Sequence, residues 1–141
     1  MQNIDLELTF NAKLDKVYHA FVSPELLQKW FCPLGMVVQQ AMSNSKIDGQ
    51  FRLILSDPMG NQHVLVGRYK EMKRNELLSF SWQWLDEEHS TNVVLHFKEI
   101  DEGTTQLTLH HGEFHDAEDF NLHCQAWVSC LEQLSIVLST M

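Results

Sequence analysis

At 141 residues with a formal charge of −9, the chain has the length of one domain and enough apolar residues for a core without disulfides or a structural metal. The acidic balance excludes sequence-independent nucleic-acid binding, which rests on Lys and Arg neutralising phosphates. The N-terminus lacks the basic and apolar regions of a signal peptide, and no apolar run approaches a membrane span.

Residues 4–10 alternate, with Ile4, Leu6, Leu8 and Phe10 against Asp5, Glu7 and Thr9, which predicts a half-buried strand. Leu14, Val17, Tyr18 and Phe21 follow at i, i+3, i+4, i+7, the stripe of a short helix. Ser23-Pro24-Glu25 starts a second helix that runs to Trp30. Ser23 can cap it, Pro24 suits its first position, and Glu25 faces the positive end of its dipole. Strands are expected over 36–42, 51–55, 63–72, 76–84, 93–97 and 105–111. Turns at Ser43–Lys46, Asp57–Asn61 and Asp101–Gly103 separate some of them, and an acidic loop, 86–89, separates two others. The strand ending at Trp84 puts Leu78, Phe80, Trp82 and Trp84 on one face.

Near the C-terminus the period changes. Phe120, Cys124, Trp127, Val128, Leu131, Leu134 and Leu138 recur at three- and four-residue steps, predicting a helix over 117–139 capped by Asp116. The fold class is therefore α+β: a curved antiparallel sheet of six to seven strands wrapped around a long C-terminal helix, with two short helices after the first strand. Residues 1–141 are expected to form a single domain. An exposed strand at the sheet edge can pair with that of a second copy, so a homodimer is one option and the oligomeric state is left open. The three cysteines are Cys32, Cys124 and Cys130. They form no C-x-x-C motif, and the last two, six apart, point to different helix faces. No disulfide framework is expected, and a cytoplasmic, reducing location is.

This order of elements, with the residues it carries, resembles the START-like superfamily (helix-grip, or SRPBCC). Within it the chain resembles the activator of heat-shock protein 90 ATPase homologue family. The resemblance is carried by Val17, Tyr18 and Ala20 on the first helix, and by Ser23-Pro24-Glu25-Leu26 with Trp30-Phe31 on the second. In the sheet it rests on Gly49-x-Phe51-Arg52, Gly67-Arg68-Tyr69, Leu78-x-Phe80-x-Trp82 and Thr108-Leu109-His110-His111. Trp127-x3-Leu131-x2-Leu134 matches the last helix. Asp48-Gly49 departs from a frequent glycine pair, and Ala126-Trp127 from a frequent Gly-Trp. The resemblance implies a cavity between sheet and helix for a small apolar molecule. It also implies two alternatives: a stress- or chaperone-linked interaction protein, and a polyketide cyclase- or dehydratase-like enzyme. The eukaryotic co-chaperone matches only in its C-terminal domain, so chaperone contact is not the first reading.

The expected ligand-binding residues are Trp30, Phe51, Tyr69, Phe80, Trp82, Trp84, His111, Trp127 and Leu131. Aromatic side chains supply broad apolar area, and a Trp ring nitrogen can add a hydrogen bond. Strand parity turns His111 inward with Leu107 and Leu109, and His110 outward. His111 is then either a core-edge histidine bonded to backbone or Tyr69, or a polar anchor or general acid–base at the cavity mouth. No catalytic residue is assigned. Eight histidines include the dense set His110, His111, His115 and His123, but Gly112 breaks the spacing that ligation would need, so neither a metal nor any other cofactor is expected. Arg52 points outward by parity. Lys70, Lys73 and Arg74 read as a solvated hairpin end, and Gly49 and Gly67 as bends in strands.

Overall fold

Each predicted periodicity becomes an element in a computed structural model that describes residues 2–114 and 116–141. The strands are β1 (Gln2–Phe10), β2 (Val37–Ser43), β3 (Gln50–Ser56), β4 (Gln62–Lys73), β5 (Leu77–Trp84), β6 (Thr91–Asp101) and β7 (Thr104–Phe114). The helices are α1 (Leu14–Val22), α2 (Pro24–Trp30) and α3 (Ala117–Ser139), with a short 3-10 turn over Pro33–Gly35. The seven strands form one antiparallel sheet in the order β1-β7-β6-β5-β4-β3-β2. Its free edges are β1 and β2, which the sequence left open. The architecture is the α+β helix-grip fold.

The caps follow the predicted chemistry. Ser23 Oγ accepts from the Leu26 N–H at 3.4 Å, and Asp116 Oδ1 accepts from the Asp119 N–H at 2.7 Å. Strand parity also holds. Ile4 and Phe10 are buried while Asp5, Glu7 and Thr9 are exposed, and Val93, Leu95 and Phe97 form the buried face of β6. On α3 the buried face runs through His123, Trp127, Cys130, Leu131, Leu134 and Leu138. Val128 departs from expectation: it is 47% exposed, one helical step round from Trp127, beside the edge strand β1.

One sequence departure, at Asp48, and one strand glycine, Gly67, acquire a physical cause. Asp48 has φ +66, a left-handed conformation that glycine adopts without cost and an L-residue does not. The frequent glycine at that position therefore matches the backbone found here. Asp48 N–H donates to the Tyr69 carbonyl and Tyr69 N–H to the Gly49 carbonyl, which fixes Tyr69 in place. Gly67 lies opposite Phe51, and a Cβ there would stand 2.3 Å from the Phe51 ring and 2.1 Å from the Ser81 carbonyl. The absent side chain is what lets Phe51 lie across β4.

Candidate functional site: an aromatic cavity between sheet and helices

Aromatic side chains from three layers converge on a cavity of about 30 Å³. The helical wall is Phe21 of α1, Leu27 and Trp30 of α2, and Phe31 at the α2 C-terminus. The sheet supplies Phe51 and Leu53 from β3, Leu65 and Tyr69 from β4, and Phe80 and Trp82 from β5. Trp127 of α3 completes it. The rings meet edge to face: Phe51 on Phe80 at 5.5 Å, and Phe31 on Trp82 at 5.8 Å. The space holds a body about the size of one water, so the walls nearly fill the site.

Six of the nine expected residues line this cavity: Trp30, Phe51, Tyr69, Phe80, Trp82 and Trp127. Trp84, His111 and Leu131 lie outside its lining. Sequence reasoning missed Leu53 and Leu65 as walls, although both share strand parity with expected residues. Leu53 is two residues from Phe51 and directly opposite Leu65 across the ladder. Phe31 was visible as half of the Trp30-Phe31 pair.

His111 is fully buried rather than at a cavity mouth, and its partners are neither backbone nor Tyr69. The Trp127 indole N–H donates to His111 Nδ1 at 2.9 Å. Indole only donates, so Nδ1 carries no proton and the hydrogen sits on Nε2. Nε2 lies 2.6 Å from Thr91 Oγ1 and donates to it, and the Thr91 hydroxyl turns toward the Trp82 carbonyl at 3.4 Å. The donors form one consistent chain from α3 through β7 and β6 to β5. Burial, then the nearby His123 and His110, hold the His111 pKa down to about 2, so the ring is neutral. Thr91 was legible by parity, two residues before inward-facing Val93, but its role needs the cross-strand neighbour. Tyr69 instead shares a hydrogen bond with Ser43 at 2.7 Å, and burial raises its pKa.

The four tryptophans are not alike. Trp30 donates to the Ala20 carbonyl at 2.8 Å, Trp127 to His111, and Trp84 to His123 Nε2 at 3.3 Å. His123 Nδ1 in turn faces the Asp119 carbonyl at 2.9 Å. Trp82, 3% exposed and part of the cavity wall, has an indole N–H with no partner among the described residues. A buried donor left unpaired costs about 1–3 kcal/mol.

Of the dense histidine set, His110 faces outward to Asp5 at 2.7 Å, His111 and His123 are buried, and His115 lies outside the described residues. Among the described residues no three His, Cys, Asp or Glu side chains are arranged to hold a metal. No helix of the described residues is long and apolar enough to cross a membrane.

The family described as "Activator of Hsp90 ATPase homolog 1-like protein" matches residues 11–139. The chain belongs to that family. Solved structures agree on the fold of this family member. Protein CV1439 from Chromobacterium violaceum superposes with a TM-score of 0.84 at 23% identity, covering 96% of each chain. The AHSA1 protein SPO3351 from Silicibacter pomeroyi gives 0.85 at 21% identity over 99% of each chain. Protein Ms6760 from Mycobacterium smegmatis gives 0.82 at 17%, over 98% of this chain and 91% of that one. At these identities the likeness is one of fold. No curated protein matches the sequence.

Proposed function

We propose that the chain is a binding module for a small, largely apolar aromatic molecule carrying one hydrogen-bond acceptor. The observation that carries this reading is Trp82. An aromatic wall ordinarily satisfies its indole donors, and the other three tryptophans do so. The Trp82 N–H is the polar handle a bound acceptor would engage, while Phe31, Phe51, Phe80 and Trp127 supply apolar contact.

A ligand larger than a water enters only if a wall shifts. Hydrogen-bonded ladders hold the sheet wall. The wall at Leu27, Trp30 and Phe31 belongs to a seven-residue helix and its C-cap, outside any ladder. It is held by side-chain packing, its own turns and a few bonds: Trp30 to the Ala20 carbonyl, Gln28 to the Gln39 carbonyl, and Cys32 with Ser129 just past its end. Opening is therefore assigned to α2. A catalytic His111 is not favoured, because both ring nitrogens are engaged and the ring lies outside the cavity lining.

Native mass spectrometry tests this on protein purified gently and then titrated with 2-naphthol, whose hydroxyl oxygen can accept from Trp82. The expected result is a one-to-one adduct that Leu65→Phe, which fills the cavity, abolishes without unfolding the chain. An adduct that persists unchanged in folded Leu65→Phe would place binding elsewhere and refute the cavity. A small molecule already bound after purification would identify the ligand class directly.

A further inference from the structure

Two cysteines separated by most of the chain meet where the segment after α2 crosses α3. Cys32 Sγ lies 3.7 Å from the Ser129 carbonyl, and the Ser129 hydroxyl returns a bond to the Cys32 carbonyl at 3.2 Å. This reciprocal pairing brings Cys32 against the next residue of α3, Cys130. Cys130 is thereby a near neighbour of Cys32, and each thiol is a leading influence on the other's titration. Cys32 is half-buried, whereas Cys130 is 1% exposed. One cysteine is thus partly open to solvent, with a second, buried one close behind it.

We infer that Cys32 and Cys130 form a hydroperoxide-responsive dithiol, in which Cys32 is oxidised first and Cys130 resolves it into a disulfide joining the end of α2 to the middle of α3. The Cys32 thiolate attacks the distal oxygen of the hydroperoxide. The O–O bond breaks, the other oxygen leaves as an alcohol or water after taking a proton, and Cys32 becomes a sulfenic acid. The Cys130 sulfur then attacks the Cys32 sulfur. Hydroxide leaves and takes the Cys130 thiol proton as water, and the S–S bond forms. The protein loses two electrons and the peroxide gains them. A dithiol reductant reverses the change.

The local chemistry suits these roles. The neighbouring Cys130 is the largest influence on Cys32 and draws its pKa down to about 7, below the usual thiol range, which favours its reaction as a thiolate. Burial pushes the Cys130 thiol up, so Cys130 is not the first sulfur to react. Cys124, half-buried on another face of α3, is a built-in control.

The full chain, fully reduced, is treated with stoichiometric hydrogen peroxide, alkylated and weighed. Expected is a species lighter by about 2 Da before alkylation, and a non-reduced peptide map with Cys32 joined to Cys130. Reductant restores both thiols, and Cys124 stays alkylated throughout. Cys130→Ala should stop at a Cys32 sulfenic acid trapped by dimedone. The pH midpoint of Cys32 alkylation, near 7 in the natural chain, should move upward in that variant. Should Cys130→Ala not fold, the cross-link in the natural chain decides alone. Oxidation that falls equally on Cys124, or Cys32 passing to sulfinic acid without a cross-link, would overturn the inference.

Discussion

Acid should weaken this fold through His111, and the size of the effect follows from the geometry. Inside the protein the ring accepts from Trp127 and donates to Thr91, with no room for a second proton. Its folded pKa is about 2, against 6.5 for a free histidine, with burial the leading cause. Above pH 6.5 neither the folded nor the unfolded ring is charged, and the contribution to stability is complete. As the pH falls below 6.5 the unfolded chain gains a proton that the folded one refuses, so stability is lost progressively towards pH 2. Each pH unit in that window costs about 1.4 kcal/mol, so the loss between pH 7 and pH 5 is about 2 kcal/mol. The assay is urea unfolding followed by tryptophan fluorescence at both pH values, for the natural chain and for His111→Gln. The remaining histidines and the carboxylates are common to both chains, so the change in their stability difference isolates this ring. The gap between natural chain and variant should narrow by about 2 kcal/mol on acidification. A gap that does not change with pH would show that the ring titrates alike in both states, and the buried neutral assignment would fall.

Other substitutions test the packing. Gly67→Ala should destabilise by about 3 kcal/mol, because its Cβ collides with the Phe51 ring and the Ser81 carbonyl, and thermal unfolding will read it. Asp48→Gly should stabilise by about 1 kcal/mol in the same assay by relieving a left-handed backbone. Trp127→Phe should cost about 2 kcal/mol or more, since it leaves His111 Nδ1 buried without its donor. If α2 is the moving wall, protein carrying the Cys32–Cys130 cross-link will take up 2-naphthol more slowly in stopped-flow fluorescence, and an unchanged rate would assign opening to another element.

The elements were legible because they rest on local chemistry: period-two strands, a three-four helix stripe, Ser23 and Asp116 as caps. Strand parity alone turned His111 inward and His110 outward. The bonds that define His111 were not legible, because Thr91 and Trp127 reach it from a neighbouring strand and from the far helix. The same reason hid Cys130 behind Cys32. Spacing along α3 separated Cys124 from Cys130 correctly but contained nothing about a residue near the start of the chain. The aromatic faces announced an apolar site. Whether those faces would leave space depended on how far Phe51 could sink over Gly67 and how Phe31 would fold back, and both are matters of tertiary packing.

The central claim is that a ligand meets the Trp82 indole in this cavity, and indole N–H resonances report it most directly. With ¹⁵N-labelled protein, the four indole signals are assigned by single Trp→Phe variants and followed as 2-naphthol is added. The account predicts that the Trp82 signal moves downfield as it gains an acceptor, while Trp84, bonded to His123 outside the cavity lining, stays in place. A Trp82 signal that does not move while 2-naphthol binds would contradict it.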